Sequence, residues 1–421
     1  MRYLLLLLCT LAFQCAIAQT SVQTKPQQLT VASPESVGMS TERFQNIERF
    51  LQNEVAQKHL PGSMMIVARK GKIVYHNAVG YNDLEAKTLL GKDQIFRIMS
   101  MSKALTTTAV MILYEEGKIQ LDDPVSKYIP EFANTKVLVY YNEKDSTYSA
   151  VPAKKQVTIR HLLTHTAGIP YSHPLYYKAG IPDFFSTKPI TIGQTMPKLA
   201  ALPLLHEPGE KVTYGLNTDM LGYLIERVSG MQFGTFLQKR VFEPLGMNDT
   251  GFYVKKGQES RLMVQYTVDS LGLHRHPIKD EEVYPVSGAR TYESGGAGLT
   301  STVLDYAKFL QMMLNGGSFN DKQILSRKTV ELMCRNQIGD LPFWDSKNRF
   351  GFGFEIMTEE GGAKKDAGTP GALRWGGRNG SDYIFDPKEQ LLIVWTMQVV
   401  PTPYWYLNEQ VRRMVYQCIV D

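Results

Sequence analysis

The sequence predicts an α+β fold, with a sheet assembled from both ends of the chain and a helix-rich lobe inserted between them. Two observations carry this. Strand patterns bounded by turn residues cluster near the two termini, and the stretch from about Ser100 to Tyr292 shows helical spacings joined by long loops. At 421 residues, 43% hydrophobic and 21% charged, the chain is ample for a large core and has no disorder signature.

Taken in order, the N-terminus reads Met1-Arg2-Tyr3, then Leu4 to Leu8 and further apolar residues, ending in Ala16-Ile17-Ala18 before Gln19. A basic start, a short apolar run and an A-x-A ending predict a signal peptide over 1–18. The run is too short for a membrane span, and no later segment approaches the required length of about 20 apolar residues. Gln14 before Cys15 also argues against lipoprotein processing. The expectation is export, periplasmic or secreted, without a stable membrane anchor. Residues 19–35, with scattered Gln, Ser, Thr and Pro, read as a flexible lead-in.

A helix is expected from Ser40, with Phe44, Ile47, Leu51 and Val55 on one face. Strands follow over Met64 to Ala68 and Ile73 to Val79, turned at Lys70-Gly71. The middle adds a β excursion near Val137 to Tyr140 and an amphipathic helix from about Thr218 to Val228. Near the C-terminus, Tyr383 to Phe385 and Leu391 to Met397 read as strands around Asp386-Pro387-Lys388, and Leu407, Val411, Met414 and Val415 mark a closing helix. The expected domain spans 36–421, with its α/β part in 36–98 and 292–421 and its helical lobe in 99–291.

Cys9 and Cys15 leave with the signal, while Cys334 and Cys418 remain, far apart in sequence and read as separately buried thiols. No cysteine cluster has zinc-site spacing. Net charge is +5 with both signs interspersed, which is not the balance of a nucleic-acid binder.

The chemistry starts at Ser100 and Lys103, the only serine followed three residues later by lysine. Met101 through Glu116 lack Gly and Pro, and Gly117 is a natural stop, so a helix is expected to begin at Ser100. Residues three apart on a helix share a face, which sets the Lys103 ammonium beside the Ser100 hydroxyl. The helix N-terminus adds N–H groups and positive potential that favour an oxyanion. Such a pair arises by chance about once in a chain of this composition, so its meaning comes from its surroundings. No Gly-x-Ser-x-Gly elbow is present. His161 and His165 would share one helical face, but two histidines without a third ligand read as packing residues.

Those surroundings are FRIMSMSKALTT, Gly117-Lys118-Ile119-Gln120-Leu121-Asp122-Asp123-Pro124, Thr158-Ile159-Arg160-His161-Leu162-Leu163-Thr164-His165-Thr166-Ala167-Gly168, Glu207-Pro208-Gly209-Glu210, Tyr214-Gly215-Leu216-Asn217 and Gly295-Gly296-Ala297-Gly298-Leu299-Thr300-Ser301-Thr302. Together they resemble the class C β-lactamase-related serine hydrolases, a superfamily of lactamases, D-alanyl-D-alanine peptidases and esterases. The likeness covers nearly the whole mature chain in the right order. It implies a β-lactamase/transpeptidase-like fold: an antiparallel sheet flanked by terminal helices, an inserted all-α lobe and an active site in the cleft.

The resemblance also implies site roles. Ser100 is the nucleophile, and Tyr214 shares proton transfer with Lys103; a phenol has an ordinary pKa near 10 and becomes a base only where a cation stabilises its phenolate. The family's third element, a strand carrying Lys or His, then Thr or Ser, then Gly, is replaced by Trp375-Gly376-Gly377-Arg378. The backbone N–H groups of Ser100 and Arg378 would form the oxyanion hole, while Asn217, Trp375, Gly376 and Gly377 would contact substrate.

Two departures bear on the substrate. Trp375-Gly376 offers neither the cation nor the hydroxyl that lactamases and D-Ala peptidases use for a carboxylate, and the family's Tyr-x-Asn becomes Tyr214-Gly215-Leu216, with Asn217 one step late. Both make the pocket more apolar and resemble the esterase members. The expected function is an exported serine hydrolase acting on a small-molecule ester, amide or peptide through a Ser100 acyl-enzyme, with no cofactor or metal. A D-Ala-D-Ala peptidase, amidase or weak β-lactamase is the alternative. A non-catalytic penicillin-binding-like protein is disfavoured because all three catalytic side chains are present.

Overall fold

The computed structural model describes residues 28–277, 280, 283–344, 346–363 and 367–421. The expected signal peptide at 1–18 lies outside these residues, as do residues 19–27 of the lead-in. Among the described residues the main sheet has nine strands, β1 (Thr30–Val31), β2 (Gly62–Arg69), β3 (Lys72–Asp83), β4 (Thr88–Leu89), β5 (Arg349–Phe350), β6 (Glu355–Ile356), β7 (Leu373–Gly377), β8 (Ser381–Asp386) and β9 (Leu391–Thr396). Their order is β1-β3-β2-β9-β8-β7-β6-β5, with β4 on β3. All pairings are antiparallel except β1 on β3.

The two ends of the chain meet at β2 and β9, where Met65 faces Trp395 and Ala68 faces Leu392. The hairpin β2–β3 closes through Lys70 and Gly71, both at positive φ (51° and 76°), which matches the twist of the flanking strands. Glycine accepts that conformation without a Cβ penalty.

Alternation along the central strands separates two cores. Met64, Ile66, Ala68, Leu392, Val394, Tyr383 and Phe385 pack with the inserted lobe, and Met65, Val67, Ile384, Ile393 and Trp395 form the other layer. The second layer is covered by α1 (Thr41–Ala56), through Phe44, Ile47 and Leu51, and by the C-terminal helix Tyr406–Tyr416, through Leu407, Val411 and Val415. Ser40 caps α1 by accepting the Arg43 N–H at 3.3 Å. This is the expected architecture, an almost wholly antiparallel sheet flanked by terminal helices with a helical lobe inserted.

The two ends of the insert meet, since Phe96–Arg97 pairs antiparallel with Thr300–Ser301 in a separate two-stranded sheet. The insert is helical with two hairpins, Lys136–Tyr141 with Tyr148–Pro152 and Tyr266–Asp269 with Gly272–Arg275. The expected β excursion near Val137 is the first strand of the first hairpin.

The lead-in differs from expectation at its end. Thr30–Val31 pair with Lys72–Ile73, and Pro34–Val37 form a 3₁₀ turn, so backbone hydrogen bonding orders a segment whose composition reads as flexible. Cys334 and Cys418 are free thiols, and burial pushes both up to about 12. Among the described residues no helix is long and apolar enough to cross a membrane.

Candidate active site

Ser100 sits at the start of the insert, just after the short strand Phe96–Arg97. After Phe96–Arg97 the backbone enters a 3₁₀ turn, Met99–Met101, and the α-helix α2 runs from Ser102 to Glu115. The helix therefore starts two residues later than the sequence suggests, with Ser100 in the tight turn before it. Met99, immediately before the serine, is held at φ 51°, a left-handed conformation that costs a non-glycine residue free energy and persists only where packing enforces it. α2 is buried from Ser102 through Leu113.

Lys103 extends from the first turn of α2 into the space beside Ser100. Its Nζ donates to Gly296 O at 2.8 Å, to the Tyr171 hydroxyl at 3.1 Å and to Ser100 Oγ at 3.3 Å. The 3.3 Å contact is long for a committed hydrogen bond and is of the reach expected of a base awaiting substrate. Lys103 is 2% exposed, so its charge has little water to lean on.

Tyr214 is close but differently placed from expectation. The ammonium lies 4.5 Å from the centroid of the Tyr214 ring, over its face, and the Tyr214 hydroxyl accepts the Trp375 indole N–H at 3.4 Å. The cation therefore acts on Tyr214 through the ring, while the hydroxyl it hydrogen-bonds belongs to Tyr171. Burial foremost, and next the nearby Asp219 carboxyl, hold the Tyr171 phenol well above its usual range, so Tyr171 stays protonated. Sequence reasoning missed Tyr171. The available signal was its position three residues after the Thr164-His165-Thr166-Ala167-Gly168 turn.

The two tyrosines are locked together by backbone packing. A Cβ on Gly215 would stand 2.1 Å from Ile169 O and 2.6 Å from Pro170 Cα, so only glycine lets the Tyr214 segment lie against the Tyr171 loop. The rings meet edge to face at 5.6 Å.

Asn217, expected to contact substrate, does not line the cleft. It opens the helix α3 (Asn217–Ser229), is fully buried and points beneath the Tyr214 turn, where Nδ2 donates to His165 Nδ1 and Ile169 O at 3.0 Å each and lies 3.3 Å from Thr213 O. Displacement by one residue from the family's position turns an amide that would face the cleft into one that ties three backbone segments together.

His161 and His165 share no helical face, because their helix ends at Leu163 and His165 lies beyond it at φ 56°. His161 Nδ1 accepts the Thr158 N–H at 3.1 Å in a capping box. Burial, then Lys103, hold His165 well below its usual range and hence neutral, with its ring 4.7 Å from that of Tyr214. Among the described residues no group of three His, Cys, Asp or Glu could hold a metal.

The cleft above Ser100 is about 370 Å³, bounded by Tyr171, Tyr214, Phe184, Trp344, the β7 residues Trp375-Gly376-Gly377 and Arg378 just after the strand. Trp375 stacks on Trp344 at 5.2 Å and 20°. Gly377 brings β7 against the serine turn, since a Cβ there would stand 2.7 Å from Ile98 O and 2.3 Å from Ser381 Oγ. Ser100 and Arg378 thus line one cleft, and the Arg378 guanidinium lies 5.3 Å from the Phe184 ring centroid.

A serine with a lysine beside it, a tyrosine on each side and an apolar cleft above, on this fold, define a serine hydrolase. The chain belongs to the Beta-lactamase family, whose family model matches residues 47–413. It is similar to Rv1367c of Mycobacterium tuberculosis, 31% identical over 356 residues that cover 81% of this chain and 86% of that protein. The esterase EstB of Burkholderia gladioli is 28% identical over 361 residues, 81% of this chain and 86% of EstB. Among solved structures, EstCE1, a hydrolase with promiscuous acyltransferase activity, superposes with a TM-score of 0.75 at 27% identity, covering 92% of this chain and 99% of that one.

Proposed function

We propose that the chain is an exported esterase-like serine hydrolase that cleaves an ester or related acyl substrate through an acyl-enzyme on Ser100. The observation that carries this is the position of Lys103 Nζ, 3.3 Å from Ser100 Oγ inside an aromatic cleft. Ser100 Oγ adds to the substrate carbonyl while its proton passes into the Lys103–Tyr214 pair. The N–H groups of Ser100 and Arg378 hold the oxyanion. The ester C–O bond then breaks, the leaving oxygen takes the proton, and the acyl group stays on Ser100. Water adds to the acyl carbonyl, gives its proton to the same pair and releases the acid, and the proton returns to Ser100. Similarity to EstB and EstCE1 supports the ester preference, as does Trp375 standing where lactamases carry a cation. Export rests on the sequence of residues 1–18.

Arg378 favours a second reading, a D-Ala-D-Ala peptidase, amidase or weak β-lactamase, because its guanidinium reaches the cleft and is of the right charge for a substrate carboxylate. Turnover of p-nitrophenyl butyrate and of nitrocefin separates the two. Ester turnover with kcat/KM about 100-fold above that for nitrocefin, lost by about 10³-fold in Ser100→Ala, is the expected result. Comparable nitrocefin turnover would transfer the assignment to the second reading.

A further inference from the structure

Near Lys103 and Tyr171, and not among the residues that line the cleft, lies a carboxyl group with no role in the chemistry so far. Asp219, in the first turn of α3, is fully buried. Its Oδ1 accepts the Ser294 hydroxyl at 2.5 Å, and its Oδ2 has no hydrogen-bond partner among the described residues. The unpartnered oxygen faces Lys103 and Tyr171 across Gly296: a Cβ on Gly296 would stand 2.7 Å from Asp219 Oδ2, 2.7 Å from the Tyr171 hydroxyl and 3.5 Å from Lys103 Nζ. Only a glycine lets the three groups converge.

The charges complete the argument. Lys103 is buried, and the three hydrogen bonds it makes go to a carbonyl and two hydroxyls, all neutral. A buried ammonium without a counter-charge is costly, and a buried carboxylate that no cation offsets equally so. We propose that Asp219 is a positioning residue of the hydrolase site: its carboxylate is the buried counter-charge of Lys103, holding the ammonium between Ser100 and Tyr171. This rests on the serine hydrolase reading above and extends it to a group that touches no substrate.

The groups facing Asp219 are Lys103 from α2, Tyr171 from the loop after the helix Ile159–Leu163, and Tyr292 and Ser294 from the segment leading to Gly296. Both phenols are pushed up, by burial first, so Lys103 is the charged neighbour. Burial raises the Asp219 carboxyl to about 6, against the Ser294 hydrogen bond, Lys103 and the backbone N–H groups of Gly296 and Asp219, which lower it. The carboxylate is present above pH 6 and is lost by protonation below it, so kcat/KM rises with pH through about 6.

The test is the pH profile of kcat/KM for p-nitrophenyl butyrate from pH 5 to 8, in the wild type and in Asp219→Asn, Asp219→Glu and Ser294→Ala. Asp219→Asn is expected to lose about 30-fold to 100-fold at pH 8 and to lack the rise near pH 6. Asp219→Glu restores a rise and part of the rate. Ser294→Ala, a milder change that removes the hydrogen bond favouring the carboxylate, moves the rise to higher pH. Asp219→Asn with a profile parallel to the wild type would overturn the assignment, since a purely structural loss scales the curve without removing its limb. If Asp219→Asn does not fold, an unmoved limb in Ser294→Ala overturns it instead. Fluorophosphonate labelling of the wild type at Ser100 separates this failure from that of the hydrolase reading, which falls if Ser100 is not labelled.

Discussion

Lys103 gives its hydrogen bond of 3.1 Å to the Tyr171 hydroxyl, so the ammonium that faces Ser100 is anchored by a tyrosine other than the one the sequence singles out. Tyr214 instead offers the face of its ring. Tyr171 therefore fixes where the ammonium points, and Tyr214 receives its field.

The first prediction follows from that division. Tyr171→Phe keeps the ring packing against Tyr214 and removes the acceptor for Lys103. It should lower kcat by about 10-fold to 100-fold while thermal stability changes by less than about 1 kcal/mol. Steady-state kinetics and a thermal melt check both halves.

Asn217 makes the opposite prediction. Asn217→Ala leaves Ile169 O and His165 Nδ1 without their buried donor, at a cost of about 1–3 kcal/mol in stability. Denaturant unfolding should show that loss. If Asn217→Ala instead raised KM without destabilising the chain, the amide would belong to substrate binding after all.

Trp344 covers one wall of the cleft and stacks on Trp375 while remaining 56% exposed. Trp344→Ala should raise KM for an aromatic or long-chain ester by about 2-fold to 10-fold with kcat nearly unchanged, the signature of lost uniform binding. The ester of a two-carbon acid, too small to span the wall, should be less affected.

Glu293 carries a pH prediction on stability. Its carboxyl is pushed up to about 7 by burial foremost, although it accepts the Gly234 N–H at 2.7 Å. The folded state thus holds this proton more tightly than the unfolded chain does, and stability falls as pH rises from about 4.5 through 7. Glu293→Gln, which cannot ionise, should raise Tm at pH 8 by about 1–3 °C relative to the wild type and by less at pH 5. Melts at the two pH values provide the comparison.

Much of this architecture is legible in the sequence because it rests on local signals. Ser40 before Phe44, Ile47 and Leu51 specifies the first helix, and Lys70-Gly71 specifies the first hairpin. Ser100, Lys103 and Tyr214 are recognisable from motifs that the chain carries nearly intact. What is not legible depends on contacts between distant segments. Tyr171 and Asp219 are 48 residues apart in the chain and meet at Lys103 only because Gly215 and Gly296 let their backbones close in. Asn217 misleads for a related reason. One residue of displacement rotates its side chain from the cleft to the interior, and no property of an isolated asparagine records that. The pairing of Thr30–Val31 with β3 is likewise invisible in a polar lead-in, since its strand is held by backbone pairing and by a hydrogen bond from Lys72 Nζ to Thr30 Oγ1, 42 residues away in the chain.

The central claim is that Ser100 is acylated by ester-like donors in an apolar cleft. Intact-protein mass spectrometry of the purified mature chain, wild type and Ser100→Ala, after separate incubation with a fluorophosphonate and a penicillin, tests it most directly. The account predicts a single fluorophosphonate adduct on the wild type, none on Ser100→Ala and no lasting penicilloyl adduct on either. An undiminished fluorophosphonate adduct on Ser100→Ala would contradict the assignment of the nucleophile, and a long-lived penicilloyl adduct on the wild type would contradict the ester preference.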